Sequence, residues 1–416
     1  MPRRSLFFRI VSIAVVLVVA VLFAVLIVDA FLNENKPLTT FVPEGPYAND
    51  IFTLIIPVFA IAGVVFVGVL GAVLFITWKF KERDTDDPEE FPGQTHGNTV
   101  LELGWTILPA LILVGVAIGT VITIVELNRE PDDAIKVKVT GQQWWWQYEY
   151  DIDGDGSYDG PQDITTATEL VIPAGRPIAV TTTSNDVIHS FWIPALNGKK
   201  DAVPGITSPL NLEADEPGIY RGQCTEFCGL SHANMRMLVR ALPADQYEAW
   251  VENQQSDHAE EPASELAQAG KQQFQALCAQ CHVIRGVNGP NDENPQSPPP
   301  LVAGVAPDLT HLMTRGTFAG SIYNLYRNVE ATGLVNDNGE DLGLEPNDVA
   351  AAGNPGEALF GGPVDSELVN RVDLEAWLRN PPARKPMYAQ GGRGMPNLGL
   401  SEDQIDQLVA YLETLN

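Results

Sequence analysis

Apolar residues gather in three long runs near the start of the chain, residues 6–32, 51–78 and 103–127, and each exceeds the roughly 20 residues that cross the hydrocarbon core of a bilayer. A buried core helix would carry a polar stripe at helical period, and these runs carry none. The second and third runs predict a transmembrane helical hairpin within residues 45–129. The first follows Arg3 and Arg4, as a secretory signal would, yet its apolar part is long and has no A-x-A cleavage site. Residues 1–32 are thus a retained helix or a signal peptide. Past residue 130 the pattern shortens. Stretches 135–139, 169–172, 177–183 and 237–241 are rich in β-branched residues and bounded by Gly and Pro, which predicts a β-sandwich or barrel over residues 130–250. Residues 251–266 are polar and acidic, a linker. Residues 267–416 open on a helical stretch at 267–276. They close on a second helix, with Ser401 as N-cap and Ile405, Leu408, Val409 and Leu412 on one face.

Charge follows the same division. The chain has 25 Lys plus Arg against 53 Asp plus Glu, a net charge of −28. Only −4 of this belongs to residues 1–129, and −24 belongs to residues 130–416. Neutralising phosphates needs a basic face, so a nucleic-acid partner is excluded. Basic residues cluster at Arg3, Arg4 and Arg9, and again at Lys79, Lys81 and Arg83. Placing both clusters on the cytoplasmic side sends everything after residue 128 to the outer face, whether or not the first segment is removed. Glu102 opens the third run and has two readings. It is an acid stabilised by a helix N-terminus, or a functional carboxylate at membrane depth.

Four cysteines and six histidines are too few for a disulfide scaffold, and their positions are informative. Cys224, Cys228, His232 and Met235 follow one another at intervals of four, four and three. Soft sulfur with imidazole suits copper or zinc, and the thioether favours copper. A structural zinc site would show a second close cysteine pair and no Met. A disulfide between the two cysteines is the other alternative, and it leaves His232 and Met235 without a reason. His189, ahead of Phe191, supplies a second imidazole. Two bridging thiolates, two imidazoles, a thioether and a backbone carbonyl would enclose two copper ions. Cys278, Cys281 and His282 form Cys-x-x-Cys-His, the c-type haem attachment signal, with both thiols bonded to the haem and the imidazole on the iron. Asp151, Asp153, Asp155 and Asp159 with Gly156 match part of a calcium loop. The bidentate acid expected at its twelfth position is replaced by Gln162, so a solvated hairpin is the simpler reading.

The copper segment resembles the binuclear CuA loop of cytochrome c oxidase subunit II. Residues 141–150, with Trp144, Trp145 and Trp146, resemble that family's aromatic stretch, and residues 193–205 resemble its loop facing subunit I. The membrane hairpin ending in Trp105, Thr106, Ile107, Leu108 and Pro109 is similar too. In all, the resemblance covers about residues 45–250. It implies a cupredoxin-like CuA domain whose copper ligands are His189, Cys224, Glu226 through its carbonyl, Cys228, His232 and Met235. It further implies an interface Mg2+ near Asp201 and the Glu226 side chain, Trp144 as the electron-entry aromatic and Glu102 at the mouth of a proton path. Ile206 departs from the family, which often has Arg after Pro-Gly. Residues 395–412 resemble the closing helix of an all-α class I cytochrome c, which implies Met395 as the sixth haem ligand, with Met387 and Met313 as rivals. Residues 304–311 resemble oxidase-fused cytochromes c, where His311 is structural or at the haem edge. Residues 328–365 are an insertion that a minimal cytochrome c lacks.

The fused order resembles subunit II of a caa-type haem-copper oxidase. The resemblance implies an electron-entry subunit in a bacterial plasma membrane, partnered by subunits I and III. An external cytochrome or other redox protein would reduce haem c, haem c would reduce CuA, and subunit I would reduce oxygen with proton translocation. Three of the six histidines are taken by the two centres, too few remaining for an oxygen-reducing haem–copper site in this chain. A membrane-anchored copper/haem carrier and a nitrogen-oxide reductase subunit are the alternative functions. Glu102, Trp144 and residues 200–205 weigh against a mere carrier.

Overall fold

The computed structural model describes residues 38–81, 96–257, 261–288, 306–327, 356–388 and 392–416, with a few isolated positions of the N-terminal segment. The predicted helix or signal over residues 1–32, and the insertion as far as residue 355, lie outside the described residues.

Residues 49–129 form one compact unit. Its helices are α1, Pro46–Lys79, and α2, Thr99–Leu127. At 1.5 Å per residue their 34 and 29 residues run to roughly 51 and 43 Å, beyond the ~30 Å a bilayer core requires. Apolar side chains such as Phe66, Val67, Leu108 and Leu113 are exposed on them, which fits a lipid surround and a membrane protein. Asn98 caps α2 by accepting from the N–H groups of Val100 and Leu101, and Glu102 lies in its first turn.

The second unit contains residues 130–416. Its first half is a β-domain. A five-stranded sheet runs in the order β3-β2-β1-β5-β8, comprising β1 (Ile135–Gln142), β2 (Trp145–Asp151), β3 (Ile164–Ala167), β5 (Ile178–Ser184) and β8 (Ser208–Leu212). A three-stranded sheet runs β4-β10-β9, from β4 (Glu169–Pro173), β9 (Gly218–Gln223) and β10 (Arg236–Leu242). Strands β1 and β5 pair in parallel, as do β4 and β10. A short ladder joins β6 (His189–Phe191) to β7 (Lys200–Ala202).

Alternation explains β1. Val137 and Val139 point into the core, while Lys136 and Lys138 sit opposite Asp151 and Glu149 on β2. Lys138 reaches the Glu149 carboxylate at 3.0 Å, a partly exposed cross-strand pair that sets register more than it adds stability. The sheets meet over a core containing Trp146, Tyr148, Ile172, Phe191 and Val239. Tyr150 ties them together, its phenol donating to the Val171 carbonyl and accepting from the Val171 N–H, both at 2.9 Å. This is a cupredoxin-like arrangement.

Helix α3, Ala244–Gln254, follows β10 and runs four residues into the segment expected to be linker. Its Tyr247 and Trp250 are buried, which gives that stretch an apolar partner the acidic composition hides. Among the described residues of the C-terminal half, the longer regular elements are helices. That half contains α4 (Glu265–Gln273), α5 (Arg371–Arg379), α6 (Pro381–Arg384) and α7 (Glu402–Leu412). A two-residue ladder, β11 (Thr317–Phe318) with β12 (Tyr323–Asn324), departs from the all-α expectation. Positive φ at Ala319, Gly320 and Ser321 closes that hairpin.

Ser401 caps α7 in a capping box with Gln404, and Ile405, Leu408, Val409 and Leu412 are all buried, as the spacing predicts. Helices α4 and α7 cross closely because Gly270 has no side chain. A Cβ there would lie 1.9 Å from the Gln407 carbonyl oxygen and 2.7 Å from Tyr411 Cβ. Gly270→Ala should therefore separate the two helices and cost about 1–3 kcal/mol. Thermal unfolding of the detergent-solubilised chain checks this, and an unchanged C-terminal transition would contradict the crossing.

Candidate metal centre

The backbone builds the first site before any side chain is considered. Residues 224–235 form a loop between β9 and β10, closed at its ends by the Cys224 N–H donating to the Met235 carbonyl at 3.0 Å. Inside it, a 3-10 turn at His232–Asn234 brings His232 and Met235 round to face Cys228. The Thr225 N–H donates to the Ser190 carbonyl at 3.1 Å, which pins the loop beside His189 on β6.

The sulfurs of Cys224 and Cys228 lie 3.9 Å apart, and both thiols are free and buried. That separation is about twice a disulfide bond. Cys224 Sγ is 3.9 Å from His189 Nδ1 and 3.4 Å from the Glu226 carbonyl oxygen. Cys228 Sγ is 3.6 Å from His232 Nδ1 and 3.8 Å from Met235 Sδ. The structure thus brings four groups, the two imidazoles, the thioether and the Glu226 carbonyl, around the two thiols.

The thiols do not ionise independently. Hydrogen bonding from Cys228 favours the Cys224 thiolate, burial opposes it and His189 assists it, so that Cys224 is pulled down to about 4. Cys228 is held well above the ordinary thiol range, first by its hydrogen bond to Cys224, then by burial and the neighbouring charge. One thiolate forms readily and the second needs a positive charge beside it. A cation bridging both sulfurs supplies that charge, so the donor set fits a thiophilic metal.

Several residues that spacing did not indicate support this cluster. Asp186 accepts from His189 Nε2 at 2.8 Å, which orients the ring with Nδ1 toward the sulfurs. Burial raises the Asp186 acid, but its hydrogen bonds with His189 and with the Gln143 and Val187 N–H groups together outweigh this and leave it below the usual value. Burial likewise works against charged His189, yet Asp186 and Cys224 together hold it above the ordinary value. Gly141 leaves room for the ring, since a Cβ there would lie 2.8 Å from His189 Cδ2. Gln143 Nε2 and Trp144 Nε1 both donate to the Cys228 carbonyl, at 2.7 and 3.0 Å. Only the tryptophan carried a signal in the sequence.

A second site lies at the end of α4. A π-helical turn, Phe274–Cys278, leads into Cys281 and His282, whose N–H groups both donate to the Cys278 carbonyl at 3.0 Å. His282 Nδ1 lies 2.8 Å from the Pro307 carbonyl oxygen. Donation from Nδ1 fixes the tautomer that leaves Nε2 with its lone pair. Burial pushes the imidazole below its ordinary value, despite the Pro307 bond, so it stays neutral as a ligand must. Burial also pushes the Cys278 thiol up to about 11. Cys281 is exposed and free. Met395 packs, partly buried, on the same core as Cys278. Of its rivals, Met313 is fully buried in that core, while Met387 packs against the core of the β-domain. These residues fit covalent haem, with two free thiols, an oriented imidazole and a thioether on one core. His311 is buried and bonded to the carbonyls of Asn416 and Ser256, at 2.9 and 3.1 Å, a structural placement.

The remaining acidic candidates are less convergent. Carboxylates of Asp151, Asp153 and Asp155 lie within 4.8 Å of one another, and Asp159 is not among them. Their oxygens accept from the N–H groups of Gly156, Asp155 and Ser157, as in a tight turn. Asp201 and the Glu226 side chain are both exposed and belong to neither cluster of metal-binding groups found among the described residues.

Comparison with known proteins gives the same address. The model for the periplasmic domain of cytochrome c oxidase subunit II matches residues 135–242, and the model for its transmembrane domain matches residues 42–121. Cytochrome c oxidase subunit 2 of Alkalihalophilus pseudofirmus is 32% identical over 401 residues, covering 94% of this chain and 95% of that one. The protein of the same name from Bacillus sp. strain PS3 is 27% identical and covers 92% of each chain. Quinol oxidase subunit 2 of Bacillus subtilis is 33% identical over 52% of this chain and 66% of its own. Among solved structures, the periplasmic domain of subunit II of cytochrome oxidase from Bradyrhizobium japonicum is 30% identical, covering 30% of this chain and 95% of that one with a TM-score of 0.27. Two membrane helices, the β-domain with its sulfur-rich loop and a relative matched along nearly its whole length agree: the chain belongs to the cytochrome c oxidase subunit II family, a subunit of a respiratory oxidase and so an oxidoreductase component.

Proposed function

We propose that the chain is the electron-entry subunit of a caa-type oxidase, with residues 267–416 acting as a fused class I cytochrome c domain. In this reading His189, Cys224, the Glu226 carbonyl, Cys228, His232 and Met235 hold binuclear CuA. Cys278 and Cys281 would attach haem c, with His282 and Met395 as the iron's protein ligands. Both groups would supply one-electron redox chemistry when bound, and a thioether ligand beside imidazole would raise the haem's potential.

The chain's own residues do the rest. Asp186 fixes the His189 ring, Pro307 fixes the His282 ring, and burial of the Cys224 and Cys228 pair excludes water from the copper loop. Trp144 links its indole N–H to the Cys228 carbonyl and serves as the entry aromatic. Glu102, in the first turn of α2, stands at the mouth of a proton path where the helix N-terminus favours its carboxylate. Subunits I and III are the membrane partners. The β-domain and the C-terminal domain lie on the outer face of a bacterial plasma membrane, where their −24 charge suits a basic external donor.

Convergence of the donor groups on two buried, unbridged thiols carries this reading. Cys228→Ser in the full chain should abolish the mixed-valence copper EPR signal while haem stays covalently attached. Survival of that signal would overturn the ligand set.

The support given by Asp186 has its own magnitude. Asp186→Asn should weaken copper binding by about 10–100-fold, the usual cost of losing such a partner to a ligating histidine. Copper titration against a competing chelator reads this directly, and unchanged affinity would remove Asp186 from the site.

A further inference from the structure

Lys385 lies outside every motif, yet it is buried, at 3% exposed, at the contact between the C-terminal half and the copper loop. Its Nζ donates to the Trp144 carbonyl at 2.6 Å and to the Ala319 carbonyl at 2.7 Å, and it has no ion-pair partner among the described residues. Burying an ammonium costs several kcal/mol, so two good hydrogen bonds are the condition for its being there.

The residues that follow continue the contact. The Pro386 carbonyl accepts from Ser231 Oγ inside the copper loop. Met387 packs against the core of the β-domain. The Tyr388 ring stands 6.4 Å from the Trp144 ring, centre to centre, and Trp144 in turn bonds the Cys228 carbonyl. Toward the haem side, Met387 presses against Gly394, where a Cβ would lie 2.5 Å from Met387 Sδ. Met395 is the next residue. Contacts therefore run without a break from Met395 through Gly394, Met387, Tyr388 and Trp144 to Cys228. Trp144 itself is only 2% exposed, so no external protein can reach its ring.

Resting on the reading of the two sites given above, we propose that Lys385 is a positioning residue that latches residues 385–388 onto Trp144 and so holds the C-terminal domain at a fixed separation from the copper loop. One electron lost at the haem is one gained at the copper pair, and no bond is made or broken. The latch sets the distance over which the electron passes.

The test uses the assembled oxidase with Lys385→Met, Lys385→Arg and Tyr388→Leu in the full chain. Copper EPR and the haem absorbance spectrum are recorded first, then the rate of transfer from photoreduced haem to copper, then hydrogen exchange at residues 143–145. Both Lys385→Met and Tyr388→Leu should keep both spectra and slow the transfer by about tenfold or more, since an error of about 1 Å in placement has effects of that order. Lys385→Arg, which keeps the charge and its donors, should restore the rate to within about threefold. Lys385→Met should also expose residues 143–145 to faster exchange. Transfer within about twofold of the unmodified rate in both Lys385→Met and Tyr388→Leu would overturn the latch. Should Lys385→Met not fold, Tyr388→Leu carries the test, because Tyr388 is 57% exposed. Absence of either spectrum from the unmodified chain would instead overturn the assignment of the sites, and the latch with it.

Discussion

Two cysteine sulfurs held 3.9 Å apart in a buried loop cannot both carry negative charge unless a cation lies between them. The rest of the β-domain is arranged around that constraint. Strand β6 delivers His189, the loop between β9 and β10 delivers its own imidazole and thioether, and Asp186 and Gly141 decide where the His189 ring can stand. Tyr150 locks the sheets that carry these elements. A disulfide would satisfy the thiols alone, whereas a metal satisfies the thiols and accounts for every other donor aimed at them.

Buried polar contacts join the C-terminal half to the β-domain, beside apolar packing of Leu359, Phe360 and Met387 on the β-domain core. Arg240 and Glu169 form an ion pair within the β-domain at 3.0 Å, and the second oxygen of Glu169 accepts from Thr317 of the C-terminal hairpin at 2.8 Å. Arg285 lies 3.6 Å from Asp257 and donates to the Ser256 carbonyl at 3.0 Å, holding the chain after α3 against the C-terminal half. Lys385 adds the contact at Trp144. Such groups are costly to bury singly and specify one arrangement when all are satisfied. A domain fixed in this way presents the same face to the copper loop in every molecule.

Much of this was legible in the sequence because its signals are local. Runs of apolar residues longer than a bilayer, alternation in β1, and the capping box and apolar face of α7 each depend on neighbours within a few positions. The candidate donor groups within residues 224–235 and 278–282 were legible for the same reason, their spacing being set by one loop and one helix end. Groups that meet only through tertiary structure were not. Nothing about residues 143 and 186 marks them as partners of residues 228 and 189, and a lone lysine at 385 has no pattern at all. Residues 251–254 misled for a different reason. Their acidic context reads as linker, while burial of Tyr247 and Trp250 extends α3 through them. The acidic cluster at Asp151 half-matches a calcium loop yet reads as a solvated hairpin, and its oxygens accept from turn N–H groups.

The proposal that one chain holds two redox centres joined by its own contacts is tested most directly by the metal and haem content of the purified full-length protein. It predicts about two copper ions and one covalently attached haem per chain, the former following from two bridging thiolates and the latter from Cys-x-x-Cys-His. A single copper or none, or haem that extracts into acidified organic solvent, would contradict it.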